Sequence, residues 1–154
     1  MEIERKYLVA QLPPNLESFP HVDMEQGYLN TSPTLRIRKA GDIYYLTVKQ
    51  HISNTGAIVN REEEFEMPAS SYQHLLPKCD GIIISKTRYR IPLQDGLTAE
   101  LDIFKGSHAG LCIVEVEFPS IEAANAFVAP SWFGQDVSQQ PQYRNAYLSS
   151  HLCV

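Results

Sequence analysis

Along most of the chain, apolar and charged residues alternate one for one. This is the period of an extended strand, whose successive side chains point to opposite faces. The opening stretch MEIERKYLV sets the pattern: Glu2, Glu4 and Lys6 share one face, and Ile3, Arg5 and Tyr7 share the other. The same alternation predicts a hairpin in TLRIRKAGDIYYLTVKQ turning at Ala40-Gly41-Asp42, and a second in IIISKTRYRIPLQDGLTAELDIFKG turning at Asp95-Gly96. GLCIVEVEF and IVNREEEFEMP read as further strands, the latter closed by Pro68. Helical signals are fewer. PASSYQHLLPKC offers Ser70 or Ser71 as a cap before Tyr72, Leu75 and Leu76; PSIEAANAFVAP offers Ser120 before Ile121, Ala124, Phe127 and Val128; YRNAYLSSHL suits a short last helix. Hairpin-linked strands with two or three helices predict a mostly antiparallel α+β fold, with turn spacing suited to a sheet that closes.

The two faces of each strand differ in kind. Arg36 and Arg38 oppose Leu35 and Ile37; Lys49 opposes Leu46 and Val48; Lys86, Arg88 and Arg90 share a face; Glu100 and Asp102 alternate with Leu101 and Ile103, and Glu115 and Glu117 with Val114, Val116 and Phe118. Such a sheet either lies open with its ionic face in water or curls until that face lines a channel. Solvated faces carry mostly Thr, Ser, Gln and mobile Lys, whereas arginines and paired carboxylates dominate here. Seven of the thirteen basic residues occupy these alternating positions, a concentration that favours the channel. Buried charges cost several kcal/mol each unless satisfied by partners, and acids and bases gathered on one inner surface supply them.

Composition narrows the setting. The chain has 154 residues and is 44% hydrophobic, enough for one domain over 1–154 with a sizeable core. A formal charge of −5 gives no basic excess for broad binding to nucleic acid or anionic lipid. Cys79, Cys112 and Cys153 have neither zinc-site spacing nor a disulfide framework, and reduced thiols in the cytoplasm account for them. GLCIV and GIII fall far short of the ~20 apolar residues that span a bilayer, and charges stand where a leader would need apolar residues. A soluble, unexported chain without a membrane partner is the expectation. The histidines at 21, 51, 74, 108 and 151 are not spaced as a metal pair and are expected to lie on loops and surfaces, and neither a Walker loop nor GxGxxG occurs.

Paired carboxylates two residues apart put four oxygens on one face, a donor set suited to a hard divalent cation such as Mg²⁺. Clustered Arg and Lys suit a multiply charged anion. Together they describe a site for a metal-bound polyphosphate.

The ordered set Glu2-Ile3-Glu4-Arg5-Lys6 (E-x-E-x-K), QGYL at 26–29, LRIR at 35–38, LTVK at 46–49, SKTRY at 85–89, AELDIF at 99–104, VEVEF at 114–118 and SWFG at 131–134 resembles the CYTH, or triphosphate tunnel metalloenzyme, family over essentially the whole chain. The resemblance implies a closed eight-stranded antiparallel β-barrel, open at both ends, with helices packed outside and a charged lumen. It implies that Lys6, Arg36, Arg38, Lys49, Lys86, Arg88 and Arg90 grip a triphosphate. It also implies that Glu2, Glu4, Glu62, Glu64, Asp102, Glu115 and Glu117 hold one or two Mg²⁺ or Mn²⁺ ions, with Glu100 as a supporting partner. Glu2 or Glu4 would orient the attacking water. Two departures matter. NREEEFEMP fits two registers, Arg61 with Glu63 inward or Glu62 with Glu64 and Glu66 inward; Phe65 and Met67 as wall residues favour the second. Gln142 stands where relatives carry a basic residue, and Arg144 is the candidate to compensate. Parity leaves Tyr28 in lumen or wall, while Phe127, Trp132 and Phe133 are expected outside.

The implied activity is metal-dependent hydrolysis of inorganic triphosphate by a monomer or homodimer. The rivals are a class IV adenylyl cyclase, a thiamine triphosphatase, and a binding module for polyphosphate or a nucleotide. The module has no use for so many inward carboxylates, which repel an anion unless metal intervenes.

Overall fold

The computed structural model describes residues 1–53 and 56–151; Cys153 and the end of the expected last helix lie outside them. Among the described residues, nine strands run as β1 (Glu2–Val9), β2 (His21–Thr31), β3 (Thr34–Ala40), β4 (Ile43–Ser53), β5 (Ile58–Met67), β6 (Asp80–Pro92), β7 (Thr98–Lys105), β8 (Cys112–Glu117) and β9 (Phe133–Asp136). Three helices, α1 (Ala69–Leu75), α2 (Ile121–Ala126) and α3 (Asn145–Leu148), lie between or after them. The sheet runs β5-β4-β3-β2-β6-β7-β8-β1, and β1 returns to pair with β5, which closes an antiparallel ring of eight strands. One edge of β1 is divided. Glu2 to Glu4 pair with β5, whereas Tyr7 and Val9 pair with the extra strand β9.

Both expected hairpins form, and Gly41, Asp95 and Gly96 all adopt the positive φ their turns need. Two strands escape the alternation reading. β2 mixes Gln26 and Gly27 into its centre, and β9 is only four residues long. The caps divide as well. Ser120 accepts a hydrogen bond from the Ala123 N–H at the start of α2. At α1 the cap position is Pro68, not Ser70 or Ser71; its carbonyl takes the Ser71 and Tyr72 N–H groups, and the proline's fixed φ ends β5 and starts the helix in one step. α2 stops at Ala126, so the expected stripe breaks: Phe127 turns into the core while Ile121 and Val128 are exposed.

The larger apolar cluster sits outside the ring. Tyr7, Leu101, Val114, Val116 and Phe118 turn outward from β1, β7 and β8 and meet Ala124, Phe127, Trp132 and Phe133 beneath α2 and β9. Burying each large side chain of this kind contributes roughly 1.5–3 kcal/mol. The inside of the ring is thereby left to the charged residues, except at one end, where Tyr28, Ile84, Phe104 and Ile113 form a second apolar cluster.

The β2–β3 turn, the start of β6 and the β7–β8 connection mark one end of the barrel. That end is not free, in contrast to the expected tunnel open at both ends. Leu148 of α3 is fully buried among Tyr28, Ile84, Phe104 and Ile113, and the Ser149 carbonyl accepts the Ile82 N–H. Gly81 makes this approach possible: it has φ +67°, and a Cβ there would stand 2.2 Å from the Ser149 oxygen. Gly81→Ala is therefore expected to cost about 1–3 kcal/mol and to loosen the C-terminal segment. A lowered melting temperature with faster proteolysis after residue 140 would register both effects.

Candidate active site

Strand register assembles the acidic side of the lumen. Glu4 lies across from Glu117, and Lys6 from Glu115, in the β1–β8 pairing. One carboxylate oxygen from each of Glu2, Glu4 and Glu117 falls within 4.8 Å of the others. Such crowding is felt as charge. Burial, then Glu115 and Glu2, push the Glu4 carboxyl well above its ordinary range. Burial with Glu2, Glu100 and Glu62 lifts Glu117 to about 7. Glu115 is held well below its usual value, because Lys6, Arg88 and a hydrogen bond from Glu4 outweigh its burial. Glu2 stays ionised for the same kind of reason: Asn60 Nδ2 donates to its Oε1 at 3.0 Å and Lys49 Nζ lies 3.1 Å away. An all-oxygen donor set that must take up protons to coexist is one a hard divalent cation fits.

The cationic side is equally built. Arg36 donates to Thr47 Oγ1 at 3.2 Å and lies 3.6 Å from Glu64, which also accepts from Thr47. Its Nε is buried without a hydrogen-bond partner among the described residues. Arg38 Nε donates to Gln26 Oε1 (3.0 Å), and Gln26 Nε2 in turn to the Tyr28 hydroxyl (2.9 Å). Burial, with Arg36 and Arg88 nearby, lowers Arg38 to about 9. Lys6 Nζ donates to the Tyr143 carbonyl at 3.1 Å. These groups, with Arg88, Arg90 and Arg144, line one cavity of about 900 Å³.

Each expected site residue can now be located. Glu2, Glu4, Glu62, Glu64, Glu115, Glu117, Lys6, Arg36, Arg38, Lys49, Arg88, Arg90 and Glu100 all line the cavity, while Arg61 and Glu63 are exposed and do not. Arg90 is at the rim, its side chain 57% exposed and 3.1 Å from Glu100. Asp102 and Lys86 do not line the cavity. The Asp102 oxygens are taken by Arg88 (2.7 and 2.9 Å) and Lys86 (2.7 Å), which places Asp102 apart from the Glu2–Glu4–Glu117 cluster it was expected to join. Burial lowers Lys86 to about 7 even with Asp102 beside it, and its other polar partner is Asn145 Oδ1 at 3.2 Å. Arg144 lines the cavity and Gln142 does not. Tyr28 is buried and reaches the lumen.

Alternation pointed to the charged residues but passed over the neutral ones that orient them. Thr47 and Asn60 have the same parity as Lys49 and Glu62, so the signal existed; Gln26 sits on the unrecognised strand, and Asn145 carried no signal. Among the described residues, no helix is long and apolar enough to cross a membrane.

Comparison with known proteins agrees with this geometry. The CYTH domain family model matches residues 1–143. The inorganic triphosphatase of Nitrosomonas europaea is 40% identical over 152 residues, 96% of each chain. That of Acetivibrio thermocellus is 35% identical over 151 residues, 96% of this chain and 92% of its own. The crystal structure of the inorganic triphosphatase NE1496 superposes with a TM-score of 0.73 at 37% identity, covering 100% of this chain and 97% of that one.

Proposed function

The chain belongs to the CYTH domain family, and from that premise we propose that it hydrolyses inorganic triphosphate inside the barrel, with Mg²⁺ or Mn²⁺ as its ion and the cytoplasm as its compartment. The observation that carries the proposal is one cavity lined both by a three-carboxylate cluster and by the cations Lys6, Arg36, Arg38, Lys49 and Arg88. The identity of the relatives supports the substrate, and the proton-sharing carboxylates support the ion.

Phosphoanhydride hydrolysis needs positioning and charge neutralisation more than covalent help. Lys6, Arg36, Arg38, Lys49, Arg88, Arg90 and Arg144 bind phosphoryl oxygens and fix the chain of phosphates, while Asp102, itself paired with Lys86, holds Arg88 from behind. Glu2, Glu4 and Glu117 would hold the metal ion, with Glu62, Glu64 and Glu115 beside them. The ion supplies Lewis-acid neutralisation of the phosphoryl charge that develops in the transition state. Glu4, on the wall opposite the arginines, accepts a hydrogen bond from the attacking water and orients it. Residues 1–154 serve this as one domain, a reading supported by the ring that joins β1 to both β5 and β8.

Orthophosphate release from tripolyphosphate with Mg²⁺ or Mn²⁺, with and without EDTA, run beside ATP and assayed for cyclic AMP, tests the proposal. Release that EDTA abolishes is expected. Binding without release would leave a binding module, and cyclic AMP from ATP would mark a cyclase.

A further inference from the structure

Arg5 faces away from the lumen, between Glu4 and Lys6, and has no part in the chemistry above. Its partners are nevertheless unusually far along the chain. Arg5 Nε donates to Asp136 Oδ2 at 3.0 Å, a second guanidinium N–H goes to the same oxygen, and NH1 donates to the Ala124 carbonyl at 2.8 Å. The other Asp136 oxygen accepts the Ser138 N–H at 2.8 Å. Ser138 Oγ, 2% exposed as a residue, accepts the Lys6 N–H at 2.9 Å, and the Val137 N–H donates to the Lys6 carbonyl at 2.8 Å. Both backbone groups of Lys6 are thus held by one short segment that Asp136 locks to Arg5. The same segment runs on to Tyr143, whose carbonyl takes the Lys6 ammonium, and to Arg144 and Asn145.

We infer that Arg5, Asp136 and Ser138 form a brace outside the barrel that positions Lys6 and, through residues 137–145, carries Arg144 and Asn145 into the phosphate-binding wall. These are positioning residues. The inference rests on the proposed triphosphatase reading for its activity readout, but the brace itself is a statement about geometry. The chemistry suits the task. A guanidinium gripping one carboxylate with two N–H groups fixes direction as well as distance, and displacement of a binding group by about 1 Å can cost on the order of 10²-fold in rate.

The test compares Arg5→Met, Asp136→Asn and Ser138→Ala with Asp23→Asn, which removes a different exterior ion pair, Lys105–Asp23 at 3.0 Å. Each brace variant is expected to raise KM for tripolyphosphate about 10-fold or more while kcat changes less, and to speed amide exchange at Lys6 and across 137–145. Asp23→Asn should do neither. Serine-sized polarity is what matters, so Ser138→Thr should recover much of the KM that Ser138→Ala loses. Unchanged KM and unchanged calorimetric binding of tripolyphosphate in Ser138→Ala, or an equal rise in Asp23→Asn, would overturn the brace. A wild-type protein that neither hydrolyses nor binds tripolyphosphate would refute the function instead. Amide exchange then decides the brace, and protection retained in all three variants would remove it.

Discussion

Glu4→Gln lowers turnover of tripolyphosphate by about 10²–10⁴-fold, the range expected when a group that handles the reacting water is removed, while leaving the fold intact. The replacement is isosteric and Glu4 is 5% exposed, so packing is conserved. What changes is one carboxyl oxygen of the Glu2–Glu4–Glu117 cluster, replaced by an amide nitrogen. The amide cannot take a proton or hold a hard cation with full charge. Stability should not fall with activity, because Glu4 faces Glu115 and Glu2, and relieving like charge offsets the loss of a hydrogen bond. Parallel measurements of phosphate release and thermal unfolding check both halves. Turnover within a few-fold of wild type would end the role assigned to Glu4.

Asp102→Asn behaves in the opposite manner. Asp102 is fully buried, with Arg88 on both oxygens and Lys86 Nζ at 2.7 Å. Removing its charge strands two buried cations, a loss of about 3–5 kcal/mol for one partner of a buried pair. A chemical-denaturation curve displaced by that amount is the expected result. The protein that still folds should show a raised KM for tripolyphosphate, since Arg88 loses its support, and an unaltered concentration of Mg²⁺ for half-activation, since Asp102 is not in the carboxylate cluster. A changed metal requirement would return Asp102 to the ion. Sign follows from titration: Arg88 and Lys86 overcome burial and hold Asp102 below its ordinary range, so its stabilisation is present above the unfolded value near 3.9 and is lost as pH falls through the lower folded value.

These cases show what a period of two can reveal. Alternation marks which face a residue takes, and one face of β3, β6, β7 and β8 carries so many arginines and paired carboxylates that parity and residue type together led to the expectation of a curled sheet with an ionic lumen. Depth along the barrel is a different coordinate. Asp102 and Glu117 have compatible parity and the same chemistry, yet one ends in an ion-pair network and the other in the three-carboxylate cluster, because stagger between neighbouring strands sets height and is not written in the alternation. Closure itself was foreseen, but β2 was hidden by Gln26 and Gly27 at its centre, and β9 by its length. The C-terminal contribution was least legible. Arg144 was noticed as a basic residue out of place, whereas Asn145 and the Tyr143 carbonyl reach the lysines through tertiary contacts that no local pattern announces.

The ring closes by joining the first strand to the last of its eight, Glu4 against Glu117. A ribosome extending this chain must therefore pass Glu117 before any cavity exists, and the earlier arginine-bearing hairpins emerge with no acidic wall to face. Pairing across so long a stretch is slow relative to local hairpin formation, which places the joining of β1 to β8 after the hairpins. A nascent polypeptide therefore lacks the assembled cavity until synthesis is nearly finished.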